Sequence, residues 1–166
     1  DMVFNTCLGM LRDSDEAEES AQDVFIEVYK SVSNFRGDAK LSTWIYRIAT
    51  TKCLERIRKR KAKKRFAFLS SLSGDYQPDF DKISNFVHPG IQMEQSEHAK
   101  ALFNAIHKLA ENQKVAFTLH KVEGLPYEEI AEVMEVSLSS VESLMFRAKQ
   151  NLKKLLKSYY ERNMMD

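Results

Sequence analysis

Apolar residues recur at helical spacing along most of this chain, and the repeat stops over one long stretch, between Arg65 and Glu97. A period near 3.6 sustained over tens of residues selects helices packed through one face, because a half-buried strand would alternate every second residue. Five glycines and three prolines in 166 residues also leave little turn chemistry for a sheet. We therefore expect an all-α protein: two small helical domains, residues 1–66 and 96–166, joined by a flexible linker at 67–95, with a helix-turn-helix in the second. The interruption, FLSSLSGDYQPDFDKISNFVHPGIQ, gathers Gly74, Pro78, Pro89 and Gly90. Its Phe80, Ile83, Phe86 and Val87 leave open a free coil or a segment that fills a groove.

No apolar run approaches the length that spans a bilayer, so membrane insertion is not expected. Cys7, Cys53 and the four histidines are scattered without metal-ligand spacing, which predicts a reduced, cytoplasmic protein with no metal or other cofactor. The opening DMVFNTCLGML lacks a basic start and a cleavage site, and reads as a helix entered partway. The net charge of +1 hides a segregation: Leu11 to Lys30 holds seven acidic and two basic residues, whereas Lys52 to Arg65 holds nine basic and one acidic. Opposite charge in successive helices favours opposite partners.

In the first module, Ala21, Val24, Phe25, Val28, Tyr29 and Val32 form the expected core face of a helix capped by Ser14 or Asp15. Glu19, Asp23, Ile26, Glu27 and Lys30 share another face, with one aliphatic residue inside a charged ring. That face is either a solvated surface with a stray isoleucine or a docking patch. The next helix has two apolar stripes, Leu41, Trp44, Ile45 and Ile48, and Tyr46, Thr50, Cys53 and Ile57. Its spacing places Trp44 in the core rather than on a stacking platform. Between the stripes lie Arg47, Thr51, Leu54 and Arg58, and before the helix the loop FRGDAKLS carries Phe35, Arg36, Asp38 and Lys40. Cations beside loop aromatics suit single-stranded nucleic acid, since cations follow phosphates and rings accept unstacked bases.

The second module is more specific. Ala101, Leu102, Ala105, Ile106 and Leu109 mark one helix, and Val115, Ala116, Leu119 and Val122 a second that ends by Gly124. Pro126 is expected at the first position of a short helix through Tyr127, Ile130, Ala131 and Met134. The turn EVS and the N-cap Ser137 then lead into a long helix, the spacing of a helix-turn-helix. Its buried face is expected to be Leu138, Val141, Leu144, Met145, Ala148, Leu152, Leu155 and Tyr159. Ser139, Ser140, Ser143, Phe146, Arg147, Gln150 and Lys154 are left on the other face for a major groove, where Arg reads guanine, Gln reads adenine and Ser bonds phosphate.

The stretches SAQDVFIEVYKSVSNFRG, STWIYRIA and LPYEEIAEVMEVSLSSVESLMFRAKQNL together resemble bacterial extracytoplasmic-function (ECF) sigma factors, the small members of the main sigma family with regions 2 and 4. The resemblance implies a factor that performs no chemistry, binds core RNA polymerase, recognises a two-part promoter and helps open it. Glu19, Asp23, Ile26, Glu27 and Lys30 would dock on the clamp helices of the largest polymerase subunit, and the second module would meet the flap of the second-largest. Phe35, Arg36, Asp38, Lys40, Arg47, Thr51 and Arg58 would hold the melted −10 strand. Ser139, Ser140, Ser143, Phe146, Arg147, Lys149 and Gln150 would read the −35 duplex, and the linker would thread toward the RNA exit channel. An anti-sigma partner, able to hold the factor near the membrane, is also implied.

Departures from the family pattern stand at Thr51, where Asn is frequent, at Glu135, where Gly is common, and at Glu142 and Leu144, where cations are frequent. A left-handed Glu135 would cost about 1 kcal/mol. One rival reading is a helix-turn-helix regulator that binds duplex without polymerase. No paired carboxylates, Cys/His arrangement or Gly-rich phosphate loop accompanies the basic helix, which argues against a nuclease.

Overall fold

A computed structural model describes residues 1–72 and 97–163. Helices α1 (Met2–Leu11), α2 (Ser14–Ser31) and α3 (Leu41–Leu72) form the first module, with a short 3₁₀ turn at Val32–Asn34. Helices α4 (Glu97–His107), α5 (Glu111–Lys121), α6 (Tyr127–Met134) and α7 (Leu138–Asn163) form the second. Among the described residues there is no strand. Helix α3 continues through Leu72, so the first six positions expected in the linker are helical. Phe80, Ile83, Phe86 and Val87 lie outside the described residues.

Small residues decide how the first module packs. Ala17, Ser20, Ala21 and Val24 are the buried positions of α2, and their short side chains let α1 and α3 approach closely. The expected core face is therefore shifted by one position around the helix. Phe25 is 58% exposed, Tyr29 84% and Val32 50%, and Val28 is half-buried against the core. The cap is Asp13, whose carboxylate accepts from the Glu16 amide at 2.9 Å, rather than Ser14 or Asp15. In α3 the stripe around Tyr46, Thr50, Cys53 and Ile57 is buried as expected, but Leu41 is half-exposed. Cys7 and Cys53, distant in sequence, meet in the core, where the Cys7 contact and burial push the Cys53 thiol up.

Charge segregated along the sequence is paired in space. Glu16 meets Arg60 at 3.0 Å, Glu19 meets Arg56 at 2.7 Å, and Glu27 meets Lys52 at 3.1 Å, the ladder of two antiparallel helices. Each such exposed pair contributes little, yet together they neutralise much of the acidic helix.

In the second module Ala105, Ile106, Leu109, Ala148 and Leu152 close a small core between α4 and α7. Val122, Leu102, Leu138 and Leu155, expected as core, are substantially exposed. Pro126 is the N-cap of α6, one position before the expected one, and its carbonyl accepts from Ile130 at 3.1 Å. Ser137 caps α7, its hydroxyl accepting from the Ser140 amide at 3.2 Å.

Glu135 closes α6 with φ 54 and ψ 44, the left-handed conformation that Gly adopts without a Cβ penalty. Glu135→Gly is expected to stabilise the protein by about 1 kcal/mol, or ~3 °C in melting temperature for a chain of this size. Thermal melts in high salt, where the exposed Glu135–Arg47 pair is screened, check this; a lower melting temperature would show that the turn depends on the glutamate side chain.

The two modules share one core. Leu8 and Leu11 of α1 belong to the same buried cluster as Val115 and Leu119 of α5 and Ile130 of α6. Gly9 makes the contact possible, since a Cβ there would lie 2.9 Å from the Thr118 methyl of α5.

Candidate nucleic-acid and polymerase surfaces

Three surfaces emerge. The first is the loop between the 3₁₀ turn and α3. Gly37 at φ +78 turns the chain, and the loop folds back so that Phe35 packs on Trp44, with centroids 5.2 Å apart and planes tilted by 39°. Asn34, Phe35, Arg36, Gly37, Asp38, Ala39, Trp44 and Arg47 line a cavity of about 290 Å³. Trp44 is therefore half-buried on the wall of this cavity rather than in the core. Ile45 and Ile48 of the same stripe pack against the core, whereas Trp44 lines the loop cavity.

Of the residues expected to contact the −10 strand, Phe35, Arg36, Asp38 and Arg47 converge on this cavity. Lys40, Thr51 and Arg58 do not line it. The Thr51 hydroxyl donates to the Arg47 carbonyl at 2.8 Å. Lys40 and Arg58 turn to acidic residues of the second module, at 2.6 Å from Glu129 and 3.1 Å from Glu111. Arg47 also reaches across, donating to the Glu132 carbonyl at 2.8 Å and pairing with Glu135 at 2.8 Å. Sequence spacing gave no sign of these partners because they lie more than fifty residues away.

The second surface lies on α2. Phe25, Ile26, Tyr29 and Val32 recur at i, i+1, i+4 and i+7 and form an exposed apolar strip. The charged residues expected to encircle Ile26 divide: Glu19, Asp23 and Glu27 face cations of α3, while Lys30 is exposed. Contiguous apolar exposure of this kind marks an interaction site. Its signal was visible in the sequence as an apolar stripe too wide for one packed face.

The third surface is the outer face of α7. Ser139, Ser140, Ser143 and Arg147 line one shallow groove, and Ser143, Arg147, Glu142 and Phe146 another. Phe146 is 64% exposed, and Lys149 and Gln150 lie on the exposed face further along. Arg147 is steadied within its helix, its Nε donating to the Ser143 carbonyl at 3.2 Å. A capped helix start, short hydroxyl side chains and an Arg one turn later, all open to solvent after a tight turn, form a face that a major groove can receive.

The fold thus offers a solvent-facing helix-turn-helix and, apart from it, a loop cavity walled by an aromatic pair. Comparison with known proteins makes this specific. The description "Sigma-70 region 2" matches residues 1–63 and "Sigma-70, region 4" matches residues 99–152. The chain is 31% identical over 154 residues to the RNA polymerase sigma-H factor of Pseudomonas aeruginosa, covering 93% of this chain and 80% of that one. It is 33% identical over 132 residues to the ECF RNA polymerase sigma-E factor of Haemophilus influenzae, covering 78% and 68%. In structure it resembles the sigma factor RpoE of Bartonella quintana, solved in complex with the anti-sigma factor NepR, with a TM-score of 0.68 at 21% identity, covering 93% and 89% of the two chains. It also resembles CnrH, solved with the cytosolic domain of CnrY, with a TM-score of 0.65 at 17% identity, covering 95% and 81%. The chain belongs to the sigma-70 family, in its ECF group.

Proposed function

We infer that this protein is a sigma factor that binds core RNA polymerase, recognises promoters through two surfaces and helps to open the DNA. The observation that carries the reading is the presence, in one chain, of a cavity suited to a single unstacked base and a helix face suited to intact duplex. Strand capture must offset the few kcal/mol of unstacking, which a walled cavity with an aromatic pair can do, whereas duplex readout needs a rigid helix. We assign the −10 strand to Phe35, Arg36, Asp38, Trp44 and Arg47 around the cavity, with Lys40, Thr51 and Arg58 beside it. The −35 duplex is assigned to Ser139, Ser140, Ser143, Phe146, Arg147, Lys149 and Gln150. Glu142 on that face repels phosphate or accepts from cytosine, which separates this promoter preference from that of factors carrying a cation there.

The α2 strip of Phe25, Ile26, Tyr29 and Val32, flanked by Glu19, Asp23, Glu27 and Lys30, is assigned to core polymerase on the clamp of its largest subunit, with the second module toward the flap of the second-largest. An anti-sigma factor is the expected regulator, because the RpoE structure that this chain resembles was solved with such a partner. Among the described residues no helix is long and apolar enough to cross a membrane.

Run-off transcription with purified core enzyme tests the whole reading. Promoter-specific product is expected only when this chain is added, and its absence on every genomic fragment tried would refute the assignment. A polymerase-independent regulator would instead bind duplex tightly alone. In the same assay, Arg147→Ala is expected to lower −35-dependent initiation by an amount equivalent to about 1–3 kcal/mol, with promoter preference relaxed at one base pair. Unchanged preference would remove Arg147 from the reading set.

A further inference from the structure

We propose that the seam where α5 meets α1 and α3 is a binding site for a polyphosphate, with Lys114 at its buried centre and Arg12, Arg60, Lys61 and Lys64 around it. Lys114 is 3% exposed, and among the described residues its ammonium has no hydrogen-bond or ion-pair partner. Taking an ammonium out of water without a counter-charge is costly, and buried charges are ordinarily paired. Helical geometry tilts the Lys114 side chain toward the N-terminus of α5. There Ala110 supplies no side-chain cap, and the Lys114 amide donates to the Ala110 carbonyl at 2.9 Å. The amides of Glu111, Asn112 and Gln113 precede that bond and have no acceptor within the helix.

The surroundings deepen the imbalance. Lys61, Arg60 and Arg12 all lie close enough for their charges to act on the Lys114 ammonium, and the charges of Lys114, Arg60, Arg12 and Lys64 meet again at His107, in the last turn of α4. Two carboxylates oppose them. Glu111 is divided between Lys61 and Arg58, 3.1 Å from each, and Glu16 lies 3.0 Å from Arg60. Arg12 donates to the Asn104 side-chain oxygen at 2.7 Å and rests over the Phe103 ring, 5.9 Å from its centroid, which steadies the guanidinium without neutralising it. Among the described residues, Arg12, Arg60, Lys61, Lys64 and Lys114 thus outnumber the carboxylates that face them.

The chemistry of the donors selects the anion. Arginine forks bind phosphate oxygens in pairs, lysines supply point charges, and the first amides of a helix accept phosphate with the helix dipole behind them. Arg60, Lys61 and Lys64 follow one another along one turn of α3, so the positive charge is spread wider than a single small anion. A linked chain of phosphates matches that spread, whether free or as the tail of a nucleoside triphosphate. An uncompensated ammonium at this place destabilises the fold, and an anion beside it removes that penalty, so affinity for the ligand and stability of the chain alone oppose each other at Lys114.

Titration calorimetry of the full chain at constant ionic strength tests the site, with sodium tripolyphosphate, ATP and orthophosphate as probes. Tripolyphosphate or ATP should bind once per chain and raise the melting temperature, and orthophosphate should bind about tenfold more weakly or less. Tighter binding of tripolyphosphate than of ATP identifies a free polyphosphate as the ligand, and the reverse order identifies a nucleotide. Lys114→Met should lose about tenfold or more in affinity for the preferred probe while gaining stability without it. Lys64→Gln, at an exposed position that cannot disturb the core, should lose about threefold, whereas Lys157→Gln on α7, an equal change in charge, should lose less than about twofold. Equal losses in all three variants would overturn the site, since net charge would then suffice, and so would the lack of saturable binding by any probe. Displacement of the probe by oligothymidylate at equal phosphate concentration, with Lys114→Met weakening both alike, would assign the cations to nucleic acid and overturn it as well. None of these readouts involves polymerase or promoter, so their failure leaves the initiation reading untouched.

Discussion

Replacing Lys114 by methionine is expected to stabilise the protein by about 2 kcal/mol at neutral pH, raising its melting temperature by roughly 5 °C. Lys114 lies in the first turns of α5 and is only 3% exposed, at the seam where α1 and α3 meet the second module. Burial first, and then Lys61 and Arg60, push its ammonium down to about 8, with Glu111 pulling the other way and Arg12 adding to the depression. A base whose folded pKa is depressed binds fewer protons folded than unfolded, so the penalty is complete below about 8 and fades as pH rises toward the ordinary value of 10.5. At about 1.4 kcal/mol per unit the displacement sets a ceiling of ~3 kcal/mol, which relaxation around the site reduces. Melts of the wild type should therefore improve between pH 8 and 10 relative to the variant. A Lys114→Met protein that melts lower at pH 7, or that retains the same pH slope, would show that the ammonium is favourably solvated.

The helical class, the two modules and the helix-turn-helix were legible because they are local properties. Ser137 as a cap, the left-handed Glu135 and the exposed face of α7 each follow from a few residues and the geometry of one turn. What failed to show was which of two adjacent stripes a helix buries. On α2 the aromatic stripe looked like a core, yet the buried stripe is the small one at Ala17, Ser20, Ala21 and Val24, since close approach of α1 and α3 rewards short side chains more than bulky ones. Trp44 shows the same limit, because its wall position depends on how the Gly37 loop folds back. Charge was misread for a related reason. Acidic and basic runs that look like separate faces in a linear reading become neighbours once α2 and α3 run antiparallel. The partners of Lys40, Arg47 and Arg58 were beyond any local pattern, as they depend on the docking of one module on the other.

Ile26→Glu should lower affinity for core polymerase by about 2 kcal/mol or more, roughly thirtyfold in Kd, while leaving helicity unchanged. Ile26 is 52% exposed and stands beside Phe25 and Tyr29, which are more exposed still. With Glu19, Asp23 and Glu27 facing cations of α3, the free energy available on this face comes chiefly from apolar area rather than from an acidic ring. A carboxylate at its centre would have to be desolvated against the partner, whereas in the free protein it remains in water and costs nothing to the fold. Val24→Glu, two positions away on the opposite side of the helix and fully buried, supplies the contrast, because it should collapse the first module. Competition of each variant against labelled wild type for core enzyme, alongside circular dichroism, separates the two effects. Loss of helicity in Ile26→Glu would place Ile26 in the core, and unchanged competition would move the polymerase contact off the strip. A Tyr29→Ala variant then distinguishes a broad apolar contact from a single anchor: a loss comparable to that of Ile26→Glu means that the whole strip is covered in the complex.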